Sequence, residues 1–356
     1  MTAEFYPLKV CDISALAEDA CQITFHMAHD LPEIFTCRPG QYLTFRVPQD
    51  GGDVLRSFSV CSAPGQPLAI GVRRVGGGAF SDLAFGALAV GDTLWARPPE
   101  GRFCLPQIPL SSVLLIAGGS GITPMMAIAQ SALANLPDCD VTLIYGNRNS
   151  HTIMFHEQLE ELKDSHLGRF SCINILSREE QDVPLLNGHI DAGKLATLNR
   201  TGAIAPLTSD AIFLCGPGGM IAATRDALTD LGVDPQVIKS ETFVAAGQTT
   251  PPATHTREQP QVGGVDIDVV LDGRRHSFVM QPDDASLIES AQRAGFELPF
   301  SCKGGMCCTC RCRITKGAAE MALNYSLEPW EIAAGFTLAC QARPTTGQLA
   351  LDFDET

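Results

Sequence analysis

Long apolar runs are absent from this chain. The longest, around 113–117, falls far short of the roughly 20 residues that a membrane-spanning helix needs. Positive charge is scarce as well. Lys and Arg total 25 against 40 Asp and Glu, a net charge of −15, which argues against nucleic acid or an anionic membrane as partner. No segment repeats at a fixed period, so repeat architectures are not expected. No apolar export segment opens the sequence, and the expected setting is a reducing cytoplasm without a disulfide framework. What remains is 45% hydrophobic and 18% charged over 356 residues, a soluble chain of two or three domains with ample core.

Cysteine, by contrast, is plentiful at 14 residues. Four of these follow the pattern C-x4-C-x2-C with a distant fourth: Cys302, Cys307, Cys310 and Cys340. This is the plant-type ligand spacing of a [2Fe–2S] cluster. Zinc sites prefer short C-x2-C pairs repeated at a distance, and only one such pair exists here. Gly304 and Gly305 let the backbone fold tightly around an inorganic core and turn N–H groups toward its sulfurs. Cys308 and Cys312 stand beside ligand positions as small buried or solvent-facing thiols. A cluster that passes one electron at a time makes the chain a link in an electron-transfer path. Around the loop, 265–271 and 275–279 read as a hairpin about Asp272-Gly273. The stretch 286–295 reads as a short amphipathic helix ending at Gly295. The segment 244–264, poor in bulky apolar residues and carrying Pro251, Pro252 and Pro260, reads as an extended linker.

The first third of the chain reads as short strands at 7–13, 21–27, 42–47, 55–61, 68–75 and 93–97, punctuated by turn residues. That is the pattern of a small antiparallel barrel. On one strand Arg56 and Phe58 share a face, so a charge and a ring can address one ligand. Gly76-Gly-Gly-Ala-Phe-Ser81 precedes a helical stretch, 81–87, as a phosphate cradle does. The middle third alternates strand and helix patterns, which implies a parallel sheet. The run 112–117 suits a buried strand. It feeds Gly118-Gly-Ser-Gly-Ile-Thr-Pro124 and a helix over 125–135, a dinucleotide phosphate site without the G-x-G-x-x-G spacing. Further strands are expected at 141–145, 171–177 and 211–215, the last running into Cys215-Gly-Pro-Gly-Gly-Met220.

Together these segments resemble the ferredoxin–NADP reductase-like flavoproteins, and 265–356 resembles the ferredoxin β-grasp domain. Arg56-Ser57-Phe58-Ser59 is similar to the family's Arg-x-Tyr-Ser signature, and Gly78-Ala79-Phe80-Ser81 to its Gly-x-x-Ser/Thr loop. Gly118, Gly119, Gly121, Thr123 and Pro124 match its Gly-Gly-x-Gly-Ile-Thr-Pro segment, and Cys215-Gly216-Pro217 its Cys-Gly-Pro segment. The resemblance implies FAD, with its pyrophosphate on Arg56 and the 78–81 loop, Ser59 at the flavin N5 edge and Phe58 packed on the isoalloxazine. With Phe58 for the family's usual Tyr, one hydroxyl hydrogen bond is lost. It also implies Cys215 near the hydride-donating carbon and Phe243 beside the flavin. Ser177-Arg178 resembles the pair that grips the 2′-phosphate in NADP-dependent relatives, and Arg148 is a second candidate. Glu179 and Glu180 lie close by, so NADPH is favoured and NADH stays open.

The implied organisation is an FAD-binding β-barrel over 1–108, an α/β NAD(P)-binding domain over 109–243, a linker over 244–264 and an α+β [2Fe–2S] ferredoxin-like domain over 265–356. With the ferredoxin-like domain last, the order matches the reductase components of bacterial oxygenases. That implies NAD(P)H as donor, a di-iron oxygenase as acceptor, and catalytic roles for Ser59, Cys215 and Phe243. Another oxygenase or hydroxylase, or a hybrid-cluster type protein, is the alternative acceptor. A redox-sensing binding protein without turnover is the alternative class.

Overall fold

The computed structural model describes residues 5–26, 33–49, 52–243, 264–300, 302–305, 307–324, 326–327 and 329–355. The linker expected over 244–264 lies outside them except for Gly264. The chain forms two compact units.

The larger unit holds two sheets. In the first, β1 (Tyr6–Ala17), β2 (Ala20–His26), β3 (Tyr42–Val47), β4 (Val54–Ser59), β5 (Ala69–Arg73) and β6 (Thr93–Ala96) pair antiparallel in the order β4-β3-β6-β1-β2-β5. An antiparallel bridge between Val60 and Ile70 joins the chain just after β4 to β5 and curls the sheet into a barrel. Side-chain alternation sorts the faces: Leu8 and Val10 of β1 are buried while Lys9 is exposed. Inside, the Phe45 ring lies 5.6 Å from that of Phe25 and 5.2 Å from that of Phe80, separations at which tilted rings attract. Phe80 belongs to α1 (Ala79–Gly86). The helix thus begins two residues earlier than the sequence pattern suggests, and Ala79, Phe80 and Ser81 form its first turn. The reason lies in Ser81, whose hydroxyl donates to the Val75 carbonyl at 2.7 Å and accepts the Val75 N–H at 3.1 Å. That exchange closes the glycine turn early and drops Phe80 into the core.

The second sheet is parallel throughout: β7 (Ser112–Gly118), β8 (Asp140–Asn147), β9 (Phe170–Leu176), β10 (Ala211–Gly216) and β11 (Ile238–Thr242), in the order β11-β10-β7-β8-β9. The continuous apolar run of β7 follows from burial on both faces. Val113, Leu115 and Ala117 pack with residues of α2 (Ile122–Asn135) and α3 (His156–Ser165). Leu114 and Ile116 pack with residues of α4 (Ala192–Arg200) and α5 (Gly218–Asp230). Helix α2 starts three residues before the expected 125. Pro124 is tolerated there because first-turn N–H groups have no intrahelical acceptor. The chain enters this sheet at its centre, steps outward through β8 and β9, then crosses to β10 and β11 on the other side of β7. Winding reverses between β7 and β10, and the crevice outside their carboxyl ends is where open α/β sheets bind ligands.

The smaller unit comprises β12 (Val265–Leu271), β13 (Arg274–Met280), α6 (Leu287–Arg293), β14 (Arg311–Lys316), β15 (Ala319–Met321), α7 (Pro329–Ala333), β16 (Phe336–Leu338), β17 (Ala342–Pro344) and β18 (Gln348–Asp352). Five strands run in the order β13-β12-β18-β14-β16, with β15 and β17 paired apart. The β12–β13 turn is Asp272-Gly273, at φ 52° and 69°, the left-handed geometry that Asp-Gly hairpins adopt. The Asp354 carboxylate accepts both turn N–H groups, at 2.8 and 2.7 Å.

Asp284, ahead of α6, gathers four donors: Gln281 N at 2.7 Å, Ser290 Oγ at 2.8 Å, and Arg293 Nε and Nη2 at 3.0 and 2.6 Å. Hydrogen bonding from Arg293 is the main reason its carboxyl is held down at about 2, against about 3.9 in an unfolded chain. The stability it contributes is complete above about pH 4 and is lost as pH falls toward 2. Asp284→Asn is expected to lower the melting temperature of this unit by roughly 5 °C at neutral pH. The gap between variant and wild type should close near pH 2, which calorimetry at both pH values would check.

Candidate functional site

On β4 the side chains of Arg56 and Phe58 are both half-buried. Arg56 Nη1 donates to the Leu55 carbonyl at 2.8 Å, and the Phe58 ring lies 4.3 Å from Phe80. Ser57 Oγ is 3.1 Å from Thr44 Oγ1 on the neighbouring strand. Ser59 is buried, and its hydroxyl has no hydrogen-bond partner among the described residues. Such an orphan costs about 1–3 kcal/mol and calls for a bound partner to satisfy it. An orphan hydroxyl beside an accessible ring and a guanidinium suits a flavin. In the following glycine segment, Ser81 uses its hydroxyl internally and Phe80 faces the core. Backbone N–H groups at the start of α1 are what this segment can offer a pyrophosphate.

At the switch point two turns interlock. A Cβ on Gly121 would lie 2.2 Å from the Cys215 carbonyl oxygen, and one on Gly118 would lie 2.9 Å from Pro217 Cδ. Gly216 has φ 153° and its own Cβ would meet Gly118 N at 3.0 Å. Gly118, Gly119 (φ 56°), Gly121, Gly216 and Pro217 therefore form one floor outside β7 and β10. The Thr123 hydroxyl donates to the Ser120 carbonyl at 3.0 Å. Cys215 is fully buried and faces Glu241 across β10 and β11. Burial, and then the Glu241 charge, push its thiol well above the usual range, so it is a neutral thiol at pH 7. Phe243, just past β11, is half-buried against the core.

One side of this floor carries two arginines. Arg178 is exposed beyond β9, and its N–H donates to the Arg148 carbonyl at 2.7 Å. The N–H of Ser177 donates to the Asn147 carbonyl at 2.9 Å. Glu179 accepts both the N–H of Ser150, at 2.7 Å, and its hydroxyl, at 2.9 Å, and these bonds hold its carboxyl below the usual range. Its charge is thus committed to Ser150.

In the smaller unit the four motif cysteines stand as two pairs. The thiols of Cys302 and Cys307 share a hydrogen bond, as do those of Cys310 and Cys340. Backbone N–H groups point at the sulfurs: Gly304 to Cys302 at 3.3 Å, Cys302 to Cys307 and Cys340 to Cys310 at 3.4 Å each, and Gly305 to Cys340. Gly305 has φ 75°, and a Cβ there would lie 2.8 Å from the Leu323 carbonyl oxygen. Two thiol pairs ringed by N–H donors suit two irons bridged by sulfide. Cys312 is buried in β14 with its thiol toward the Thr337 carbonyl, and Cys308 (φ 55°) directs its thiol to the Ser326 carbonyl at 3.6 Å. Neither joins the two pairs.

Three family models match: the oxidoreductase FAD-binding domain over 7–104, the oxidoreductase NAD-binding domain over 115–226, and the 2Fe-2S iron-sulfur cluster binding domain over 269–345. The chain is 39% identical over 354 residues to a subunit of the 1,2-phenylacetyl-CoA epoxidase of Escherichia coli, covering 98% of each chain. It is 34% identical over 357 residues to the ferredoxin reductase component of 3-ketosteroid-9-alpha-monooxygenase from Mycobacterium tuberculosis, covering 98% of this chain and 96% of that one. The chain belongs to the family of oxygenase reductases with FAD-binding, NAD-binding and 2Fe–2S domains. Among solved structures, phthalate dioxygenase reductase shares the fold at TM-score 0.59 and 21% identity over 98% of both chains. An intact self-sufficient cytochrome P450 monooxygenase matches at TM-score 0.70 and 22% identity, and the reductase spans 41% of that longer chain.

The reductase is an NAD(P)H-dependent flavin and iron–sulfur oxidoreductase. Its antiparallel flavin sheet, parallel nucleotide sheet and ferredoxin fold are those the motifs imply. Among the described residues no helix is long and apolar enough to cross a membrane. Two further features of the nucleotide site carry no sequence signal. Buried Tyr145 donates its hydroxyl to the Gly119 carbonyl at 3.0 Å and accepts the Met154 N–H at 3.3 Å, which pins the glycine floor from below. Asp19, on the turn after β1, accepts from Arg148 Nη2 at 2.6 Å and lies 3.5 Å from Arg73 Nε. Arg73 Nη2 in turn donates to the Thr152 carbonyl at 2.5 Å. This chain of charges ties the barrel to the nucleotide sheet, and it partly neutralises one of the two arginines.

Proposed function

We propose that this reductase draws electrons from NADPH and delivers them, through FAD and the [2Fe–2S] cluster, to the di-iron oxygenase component of a phenylacetyl-CoA epoxidase in cytoplasmic phenylacetate degradation. The end-to-end match to a component of that enzyme carries the choice of partner. FAD, when bound, takes electrons as a pair and gives them up singly, whereas the cluster handles one at a time. The chain's own residues bind and orient. Arg56 and the N–H groups of Gly78, Ala79, Phe80 and Ser81 would hold the pyrophosphate, Phe58 would cover the flavin ring, and Ser59 would satisfy its hydroxyl at the flavin edge. Gly118, Gly119, Gly121, Thr123, Pro124, Gly216 and Pro217 would seat the dinucleotide. Neutral Cys215 and Phe243 would line its nicotinamide end. Cys302 and Cys307 would hold one iron, and Cys310 and Cys340 the other.

The preference for NADPH rests on Arg178. It is exposed beside Ser177, while Glu179, the acid that could take a bare 2′-hydroxyl, is occupied by Ser150. Arg178→Ala is expected to raise the KM for NADPH by roughly 10- to 100-fold, the weight of a charge-assisted phosphate contact, and to leave that for NADH nearly unchanged. Steady-state dye reduction with both donors checks this. The reading as a whole is tested by anaerobic titration with NADPH and then NADH, followed by absorbance and EPR, and by turnover with purified epoxidase oxygenase. Electron delivery to a steroid monooxygenase in preference to the epoxidase would overturn the assignment of partner.

A further inference from the structure

We propose that Glu331 is a positioning residue for the iron–sulfur site: by pairing with Arg311 it balances the charge carried beside the third ligand and so sets the cluster's reduction potential. The inference deepens the functional reading above and rests on it.

Arg311 follows Cys310 directly and opens β14. Its Nε donates to Glu331 Oε1 at 2.9 Å, and the two side chains are only 8% and 3% exposed. The guanidinium carbon lies 3.4 Å from the centre of the Phe336 ring. Glu331 comes from α7 and Phe336 from β16, so three elements enclose the charge. The same strands frame the second thiol pair. Arg311 stands opposite Leu338, and the N–H of Ala339 donates to the Cys310 carbonyl at 2.9 Å, one residue before Cys340. The ion pair and the Cys310–Cys340 pair therefore share one rigid strand junction.

A guanidinium buried this deeply is costly unless it is paired. In so dry a place its field also reaches farther than it would through water. Reduction adds one negative charge to a site already made anionic by four thiolates. Arg311 alone would favour that added charge, and Glu331 cancels most of the effect. Removing only the carboxylate charge should make the cluster easier to reduce. Removing both charges should restore the balance.

The test is an EPR-monitored redox titration of the purified full-length protein. The set is wild type, Glu331→Gln, Arg311→Met and the double variant Arg311→Met with Glu331→Met. Glu331→Gln keeps the size of the side chain, and its midpoint should move positive. Arg311→Met should move it negative. The double variant, which removes both charges of the pair, should return close to wild type, a non-additivity that the cycle measures directly. Loaded single variants with unshifted midpoints would overturn the proposal and leave the pair a packing device. If Glu331→Gln fails to load a cluster, Glu331→Asp, which draws the carboxylate back from Arg311, takes its place: a positive shift upholds charge balance, and an unshifted midpoint, or a displaced one in the double variant, refutes it. Absence of any [2Fe–2S] signal from the wild type would instead defeat the cluster reading itself, and this inference with it.

Discussion

Cys302→Ser is expected to strip the protein of its cluster and stop electron delivery while leaving nicotinamide oxidation in place. Cys302 is bound into the loop twice over: its sulfur accepts the Gly304 N–H and its own N–H donates to the Cys307 sulfur. A serine oxygen is a harder and less readily deprotonated donor than a thiolate, and no spare thiol can take its place. Cys308 is turned toward Ser326, and Cys312 is sealed in β14. Iron content and the visible cluster bands should fall together, and transfer to the oxygenase should drop by at least ~100-fold. Reduction of small dyes by NADPH should change by less than about twofold, because the flavin and nucleotide sheets belong to a separate compact unit. Iron analysis, EPR and the two assays in parallel decide the matter. Equal loss of both activities would mean that the cluster loop also supports the flavin path.

Gly121→Ala should be nearly as damaging, at the other end of the path. The added methyl would lie 2.2 Å from the Cys215 carbonyl oxygen and 2.8 Å from Gly216 N. These are backbone atoms at the end of a central strand and cannot turn aside as a side chain would. Relief must come from moving the β7 and β10 turns apart, at a cost of about 1–3 kcal/mol or more. That shift displaces the floor on which the dinucleotide would lie, and misplacement by about 1 Å can reduce turnover ~100-fold. NADPH-driven dye reduction is expected to fall by that order while FAD stays bound, since the barrel packs around its own core of Leu43, Phe45 and Phe80. Flavin content, dye reduction and a thermal melt check the three parts. Gly219→Ala is the matched control, because a Cβ there meets nothing within 4 Å. Similar losses in both variants would show that glycine flexibility, rather than the close approach to Cys215, is what matters.

The two ends of this path were unequally legible. The 2Fe–2S domain was legible because the cysteines proposed to hold its cluster lie mostly within one short loop, and thiolates at those intervals can close around two irons. The Asp272-Gly273 hairpin was legible for a related reason: a turn of two positive-φ residues has few acceptable sequences. The strand β7 announced itself by an apolar run that only double-sided burial explains. The start of α1 misled, because the Ser81 exchange with Val75 is a local bond with no distinctive spelling.

By itself, then, the sequence determined the three cofactor modules and their order, since each module is marked by residues close together in the chain. Tertiary structure alone decided which partners those residues meet. It set Gly121 against Cys215, Tyr145 beneath Gly119, Asp19 on Arg148, Ser150 on Glu179 and Glu331 on Arg311. Each of these pairs joins separate elements that lie far apart along the chain. Periodicity and spacing report what one segment can bury or bind. They are silent about which distant carboxylate or carbonyl the packing of whole sheets will bring within reach.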